Sequence, residues 1–460
     1  MARGTRDTST RPDRPIADTV DRLMPALTED LVRLSRIPSI SDAGFPAGPV
    51  HEAYTLVADL LRDAGLQNVT SLDLPDTHPI VTGEIPAPAG APTVLLYGHY
   101  DVVPPGDEAK WDSPPFDPVE RDGALYGRGV SDSKANVLAH VGALRVFQGR
   151  PPVGIKVVIE GQEEVGSALN TYPPHEPERF RCDAMLIADM GSVRPGVPTL
   201  TVALRGTATV TVTTRTLGGP KHSGQYGGAA PDALLALLHA LATLHDERGD
   251  VAVKGLRREE WAGASFTEEE FRDLADVRSG LPLVGTGSLG SRLWTGPAIT
   301  VTGIDALPVD EAVNAVVPFA RARINLRVHP EQDADEASDA LMRHLRALRP
   351  FGIPIEVERG ATGNGFAAKT SGPAYEAMRA ALASAWGGDV ASVATGGSIP
   401  LVNALQEAVP EAEVLLFGAT DGFSNIHAPN ERVRLDEFRN TVVAEAAFFR
   451  EYASRWPAAR

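Results

Sequence analysis

The sequence predicts an α/β protein, a sheet covered on both faces by helices and interrupted by an inserted α+β unit. Three observations predict it. Short apolar runs that end in polar residues alternate with amphipathic segments in the first part of the chain and again near its end, as buried strands and their covering helices do. Between them the texture changes to apolar–polar alternation at period two, which marks a half-exposed antiparallel strand. Finally, 460 residues exceed what one hydrophobic core usually supports, so two domains are expected.

Taken in order, residues 1–16 read as a disordered lead-in. Val20, Leu23, Leu27, Leu31 and Leu34 recur at helical spacing within 17–36, and 51–64 reads as a second helix ended by Gly65. The stretch 93–101 is a buried strand delivering polar residues at its C-terminal end, 134–147 a helix, and 153–160 and 184–188 two more buried strands. Alternation at 200–216 predicts one antiparallel strand. Helices at 231–245 and 334–348, with strands at 299–302, 320–328 and 353–358, make a small α+β unit. Residues 246–298 read as an insertion with helical pieces, and the Pro and Gly clusters at 85–92 and 217–228 as loops. The α/β texture returns with a helix at 375–386, a strand at 414–417 and a closing helix at 435–452. The expected boundaries are therefore 1–198 and 371–460 for the larger domain and 199–370 for the inserted one.

Acidic residues outnumber basic ones, 60 to 43, for a formal net charge of -17. Such a chain repels phosphate backbones and anionic membrane surfaces, so neither nucleic acid nor membrane is an expected partner. No apolar run approaches the ~20 residues needed to span a bilayer. The polar segment 1–14 lacks the apolar stretch of a secretory signal. A single cysteine, Cys182, cannot form an internal disulfide. A cytoplasmic location is expected, with Cys182 structural rather than catalytic.

The chemistry-bearing residues sit where buried strands end. The first strand closes with Gly98-His99-Tyr100-Asp101, and in an extended segment His99 and Asp101 project to the same side. A carboxylate beside a ligating histidine fixes its tautomer and raises its basicity; the alternative is a surface polar pair. Asp132, in the glycine-bearing run YGRGVSDSK at 126–134, is either a helix N-cap or a carboxylate bridging two cations. Adjacent Glu163 and Glu164 end the next strand. Like charges there cost energy unless a cation compensates, or they form a solvated first helical turn. Asp189 closes the strand after that, as ligand or loop cap, and His427 follows the strand at 414–417. Each signal alone is weak. Together they are imidazoles and carboxylates gathered at one sheet's strand ends, a donor set that suits zinc, cobalt or manganese, with a shared carboxylate able to hold two cations ~3.5–4 Å apart.

These motifs resemble the M20 metallopeptidases, the dipeptidase branch that includes carnosine dipeptidases above all. The matching stretches are GHYDVVP at 98–104, YGRG at 126–129 with Asp132 and Lys134, and EGQEE at 160–164. Others are HSG at 222–224 with YGG at 226–228, GGSIP at 396–400 and HAPNE at 427–431. The resemblance implies a zinc-exopeptidase catalytic domain with a mixed central sheet covered by helices, plus an inserted α+β lid and dimerisation domain. It implies two Zn2+ ions, Co2+ or Mn2+ being alternatives. Asp132 would bridge them, His99 and Asp189 complete one site, and Glu164 and His427 the other. Asp101 would support His99, and Glu163 would be the general base acting on a metal-activated water. His222 resembles a lid histidine that stabilises the oxyanion across a homodimer. Arg327 resembles a substrate carboxylate clamp, with a solvated strand position as its alternative. Asn314 resembles a polar lid residue near the substrate, and Gly396, Gly397 and Ser398 a substrate-cradling loop. His239, His245 and His344 have no metal partner by spacing and read as structural or surface residues.

Three departures touch the substrate side: Ser133 in place of an acid or amide, Ala394-Thr395 ahead of the Gly-Gly-Ser loop, and a poor fit over 305–315. The expected activity is hydrolysis of the amide bond of short peptides. The alternatives are an N-acyl or N-carbamoyl amino-acid amidohydrolase, and a non-catalytic binding protein on the same fold.

Overall fold

The computed structural model describes residues 14–397 and 399–456. The chain divides into two compact units, one formed by Met1–Val202, Ala368–Val393 and Leu401–Arg460, the other by Ala203–Ala367 and Ala394–Pro400.

The larger unit is built on a mixed sheet. Its strands run in the order Gln67–Leu72, Ile80–Ile85, Gly154–Glu160, Thr93–His99, Ala184–Ala188 and Glu413–Phe417. The first two pairings are antiparallel. From Gly154–Glu160 to Glu413–Phe417 every pairing is parallel. Every residue from Val94 to His99 is buried. Successive side chains point to opposite faces, so both faces are covered. The core joins Val94, Leu96, Val157 and Leu186 to Val137, Leu138 and Val141 of helix Ala135–Val146, and to Phe438, Val442 and Phe449 of helix Leu435–Arg455. Because these strands are parallel, their C-terminal ends share one edge, where chemistry collects in open α/β sheets.

Among the strands that escaped the sequence reading are the two at the antiparallel edge of this sheet. Gln67–Leu72 is mostly exposed and polar, as an edge strand that resists aggregation should be, so it shows no apolar run. Ile80–Ile85 is short and carries Gly83 and Glu84 at half-buried positions. At the other end, helix Arg14–Ser35 begins inside the expected lead-in; residues 1–13 lie outside the described residues.

The smaller unit is a four-stranded antiparallel sheet, ordered Ala298–Asp305, Phe319–Val328, Gly206–Arg215 and Glu356–Gly363. Ala320, Ala322, Ile324 and Leu326 alternate with more exposed neighbours and share a core with Leu237 of helix Ala233–Ala242 and Leu341 of helix Ala334–Ala347. The stretch read as one strand at 200–216 is two, Thr199–Leu204 and Gly206–Arg215. Period two runs through the break without a change of phase, so alternation alone hides it. Between the two, Arg205 is buried and donates to the carbonyls of Leu293 and Gly296. Within 246–298 helix Glu268–Leu274 opens on a Thr267–Glu270 capping box.

No helix among the described residues is long and apolar enough to cross a membrane. Cys182 is buried, and that burial pushes its thiol up to about 12, against any nucleophilic role.

One buried cluster ties distant parts of the larger unit together. The Glu431 carboxylate accepts from Arg128 at 2.6 Å and from the backbone N–H groups of Gly129, Ser131 and Asp132 at 2.9, 3.0 and 3.0 Å. Both Glu431 and Arg128 are essentially inaccessible to solvent. Gly129 sits at φ 79, and a Cβ there would lie 2.3 Å from a Val102 methyl, so the turn requires glycine. Glu431→Ala strands a buried guanidinium and is expected to cost about 3–5 kcal/mol, read as a lowered Tm. Glu431→Gln keeps acceptor capacity and should cost less; equal losses for both would remove the charge argument.

In the smaller unit, the Thr286 hydroxyl and amide N–H and the Arg258 guanidinium hold the Asp250 carboxyl down at about 2. A folded-state value below the unfolded one stabilises at pH above the ordinary carboxylate range, and that stabilisation disappears as pH falls through about 2. The stability difference between wild type and Asp250→Asn should therefore shrink on acidification. A difference independent of pH would contradict this account.

Candidate active site

At the shared strand edge, His99 Nε2 lies 3.1 Å from Asp132 Oδ1 and 3.2 Å from Asp189 Oδ1. His427 Nε2 lies 3.1 Å from Asp132 Oδ2 and 3.1 Å from Glu164 Oε2. Asp132 thus presents one carboxylate oxygen to each of two triads, His99–Asp132–Asp189 and Asp132–Glu164–His427, and the donor atoms of each triad lie within 4.8 Å of one another. Strand Thr93–His99 delivers His99, and Asp189 directly follows strand Ala184–Ala188. Asp132 has φ -111 and ψ 93, outside the helical region, and the regular helix starts at Ala135. Its side chain faces the imidazoles rather than capping that helix.

Asp101 lies behind His99. Its Oδ1 is 3.4 Å and its backbone carbonyl 3.2 Å from His99 Nδ1. The same carboxylate accepts from Ser41 Oγ at 2.7 Å and from the N–H groups of Glu163 and Glu164 at 3.1 and 3.2 Å. One buried carboxylate therefore orients a ring and pins the backbone of the acid pair. Glu163 and Glu164 lie in a loop after strand Gly154–Glu160, not in a helical turn.

Residues outside the expected ligand set complete the frame, among them Ser133, which is fully buried rather than on the substrate side as expected. Ser133 donates to the Ala188 carbonyl, and Asn136 donates to Ser133 Oγ while accepting from Ala419 N. Together they tie the Asp132 loop to the strand before Asp189 and to the chain entering the His427 loop. Glu431, which holds the Asp132 amide, was visible only as the last letter of the HAPNE motif. Asn136 was one of few polar residues on a mostly apolar helix, a signal that went unused. Ser41 carried none.

The electrostatics show what the cluster lacks. Hydrogen bonds to Asp132 and Glu164 push His427 up to about 10. Burial opposes protonation of His99, but Asp189, Asp101 and Asp132 outweigh it and raise it. Burial would raise Asp132, yet its bonds to His427 and His99 hold it low. Burial raises Glu164 and Asp189. Burial, then the Asp189 charge, push Glu163 up to about 9. Carboxylates are in excess, and the imidazoles take up protons to balance them. Glu164 Oε1 is buried with no hydrogen-bond partner among the described residues, although orphaned buried acceptors are costly. Missing positive charge, an orphaned carboxylate oxygen and a mixed imidazole–carboxylate donor set all fit divalent cations.

A third grouping, Glu259, His329 and Glu331, does not fit as well. Arg257 already pairs with Glu259 at 2.6 Å and Glu331 at 3.0 Å. His329 Nδ1 accepts from Glu331 N, which leaves Nε2 as an N–H rather than a ligand. A cavity of about 490 Å³ in the smaller unit, walled by Phe271, Val277, Leu281, Leu283 and Ile299 among others, contains none of the predicted site residues.

The expected substrate residues belong to the smaller unit. Exposed His222 pairs in register with Ala315, accepts at Nδ1 from Gly224 N, and lies next to Ser223, whose N–H donates to the Asn314 carbonyl. His222 and Asn314 are therefore neighbours. Arg327 is half-buried on strand Phe319–Val328, away from that pair in sequence. Gly397 is exposed, and Ser398 lies outside the described residues. His344 bonds Thr243, and His239 packs edge-on against Phe351, in keeping with structural roles.

The chain is 40% identical over 409 residues to a cysteinylglycine-S-conjugate dipeptidase of Corynebacterium striatum, covering 87% of this chain and 90% of that protein. It is 28% identical over 431 residues to the human beta-Ala-His dipeptidase, covering 86% and 84%. In fold it is similar to the crystal structure of human carnosine dipeptidase 1, with a TM-score of 0.79 at 24% identity over 96% of this chain and 98% of that one. The model of peptidase family M20/M25/M40 matches residues 95–451, so the chain, with its candidate metal site at the strand edge, belongs to that family of metallopeptidases.

Proposed function

We propose that this protein is a dipeptidase that hydrolyses the amide bond of short peptides at a centre holding two zinc ions. The observation that carries the reading is the division of the Asp132 carboxylate between two imidazole–carboxylate triads. His99 and Asp189 would hold one ion and Glu164 and His427 the other, with Asp132 common to both; Co2+ or Mn2+ would satisfy the same donors. When bound, the ions polarise the scissile carbonyl and make a water acidic near neutral pH.

The protein's own groups do the rest. Glu163, whose backbone is pinned by Asp101 beside Glu164, is the proton carrier. In the metal-free protein, burial and the Asp189 charge push its carboxyl up to about 9. Positive charge on Asp189 and Glu164 offsets the repulsion that raises it, which returns it towards the range of a base. Asp101 keeps His99 oriented. His222 is assigned to oxyanion stabilisation, Arg327 to a substrate carboxylate, and Asn314, Gly397 and Ser398 to the substrate's polar groups. These assignments rest on the motif resemblance.

The dipeptide substrate class is supported by the names of the relatives at 40% and 28% identity. A homodimer formed through the smaller unit belongs to the same reading. It is supported by exposed Leu307, Val309 and Val313, at 59%, 90% and 67% exposure, since clustered exposed apolar side chains mark interaction surfaces.

Turnover of Cys-Gly and its S-conjugates, β-Ala-His, N-acetyl amino acids and N-carbamoyl amino acids should be compared in zinc-loaded, chelator-treated and Glu163→Gln protein. Dipeptides are expected to be cleaved, chelation to abolish turnover and added Zn2+ to restore it. Turnover of the acylated or carbamoylated compounds alone would overturn the dipeptidase assignment. Glu163→Gln should lower kcat by about 10²–10⁴-fold with metal stoichiometry unchanged; loss of metal instead would make Glu163 a ligand. Arg327→Lys should raise KM about tenfold, the equivalent of about 1.4 kcal/mol, with kcat nearly intact. An unchanged KM would return Arg327 to a solvated strand position.

A further inference from the structure

Resting on the two-triad reading, we infer that Asp421 and Arg432 are positioning residues that hold His427 at the second triad. His427 needs such support. Its ring is 54% exposed, and its Nδ1 has no hydrogen bond among the described residues, although ligating histidines usually donate that nitrogen to a partner. Apolar burial does not anchor the loop either, since Phe423 and Ile426 are 43% and 45% exposed. The backbone takes an unusual path: Asn425, His427 and Asn430 all have positive φ, at 53, 61 and 62. A left-handed conformation is uncommon for a non-glycine residue, even for Asn, Asp and His, which enter it most readily. Such a conformation persists where the surroundings over-determine it.

Arg128 holds the far limb of the loop through the Ala428 carbonyl and Glu431, and a polar clasp closes its base. Arg432 donates to both oxygens of Asp421, at 2.9 and 3.1 Å. Asp421 is 4% exposed, so the pair is shielded from water and two-pronged, the geometry in which arginine and carboxylate recognise each other most specifically. The same carboxylate accepts from Phe423 N at 2.8 Å. Asp421 N donates to buried Ser424 Oγ at 3.0 Å, and Arg432 N donates to the Ser424 carbonyl at 2.9 Å. The chain from 421 to 432 is thereby closed on itself by side chain and backbone at once. His427 sits at its far side, where its Nε2 meets Asp132 and Glu164. Neither Asp421 nor Arg432 touches the triads; they act through the shape of the loop.

The test is metal titration of chelator-stripped protein with Co2+, followed by its visible absorption, and with Zn2+ by competition against a chelator. Asp421→Asn keeps an acceptor for Phe423 N but removes the charge that Arg432 grips. Arg432→Lys keeps the charge but not the fork. Each variant is expected to bind one equivalent as wild type does and the second about 10–100-fold more weakly. If Asp421→Asn does not fold, Arg432→Lys alone carries the comparison. Two equivalents at wild-type affinity, or equal weakening of both, would overturn the inference, because a general structural prop has no preference between the triads. His427→Ala is the control and should lose the second equivalent. If it retains both, the two-triad reading fails, and the clasp is not what the experiment has refuted.

Discussion

The structure depends on one constraint: several carboxylates must share a nearly dry space at the C-terminal edge of a parallel sheet. Asp132, Asp189, Glu164, Glu163 and Asp101 converge there, with His99 and His427 as the imidazoles among them. Burial alone would drive these acids to their neutral forms. The fold instead supplies partners: imidazoles for Asp132, Asp189 and Glu164, and hydroxyl and backbone donors for Asp101. The orphaned Glu164 oxygen marks the place where protein groups run out. Two divalent cations would complete the balance, and the same positive charge would tune Glu163 for proton transfer.

Holding such a cluster requires a frame more rigid than the loops that carry it. The frame is made by buried polar groups that are not themselves ligand candidates. Glu431 grips the Asp132 loop through three backbone N–H groups, Asp101 grips the acid pair through two, and Asn136 spans the Asp132 loop and the chain before His427. Each is a carboxylate or amide using backbone donors to set geometry. The arrangement separates two tasks. Ligand candidates project into the open edge, while their backbones are fixed from behind by groups that pay for their own burial with hydrogen bonds.

The two triads differ in how firmly they are held. His99 is fully buried at the end of a central strand. His427 lies on an exposed loop with a positive-φ backbone, closed at its base by the Asp421–Arg432 ion pair and held again at Glu431 by Arg128. One side of the centre is thus part of the sheet and the other is carried on a loop. This asymmetry follows from how far each residue lies beyond its strand, because His99 ends one strand and Asp189 directly follows another, whereas Glu164 and His427 lie further out in loops.

The sequence by itself determined the class of fold and the identity of the chemistry. Continuous apolar runs ending in His, Asp and Glu can be read locally, because a strand buried on both faces leaves an uninterrupted apolar record and its exit residues are polar only for a reason. The residues expected to gather at the strand edge, His99, Asp132, Glu164, Asp189 and His427, are brought together by the structure. The polar edge strand Gln67–Leu72 and the break at Arg205 were not legible, the first because exposure erases the apolar signal and the second because alternation keeps its phase across it. Only the tertiary structure decided that Asp132 faces imidazoles instead of capping a helix, that each of its oxygens serves a different triad, and that Glu431, 300 positions from Ser131, fixes its backbone. Those facts depend on which strand ends share an edge, and contacts between residues far apart in the chain leave no local pattern by which to read them.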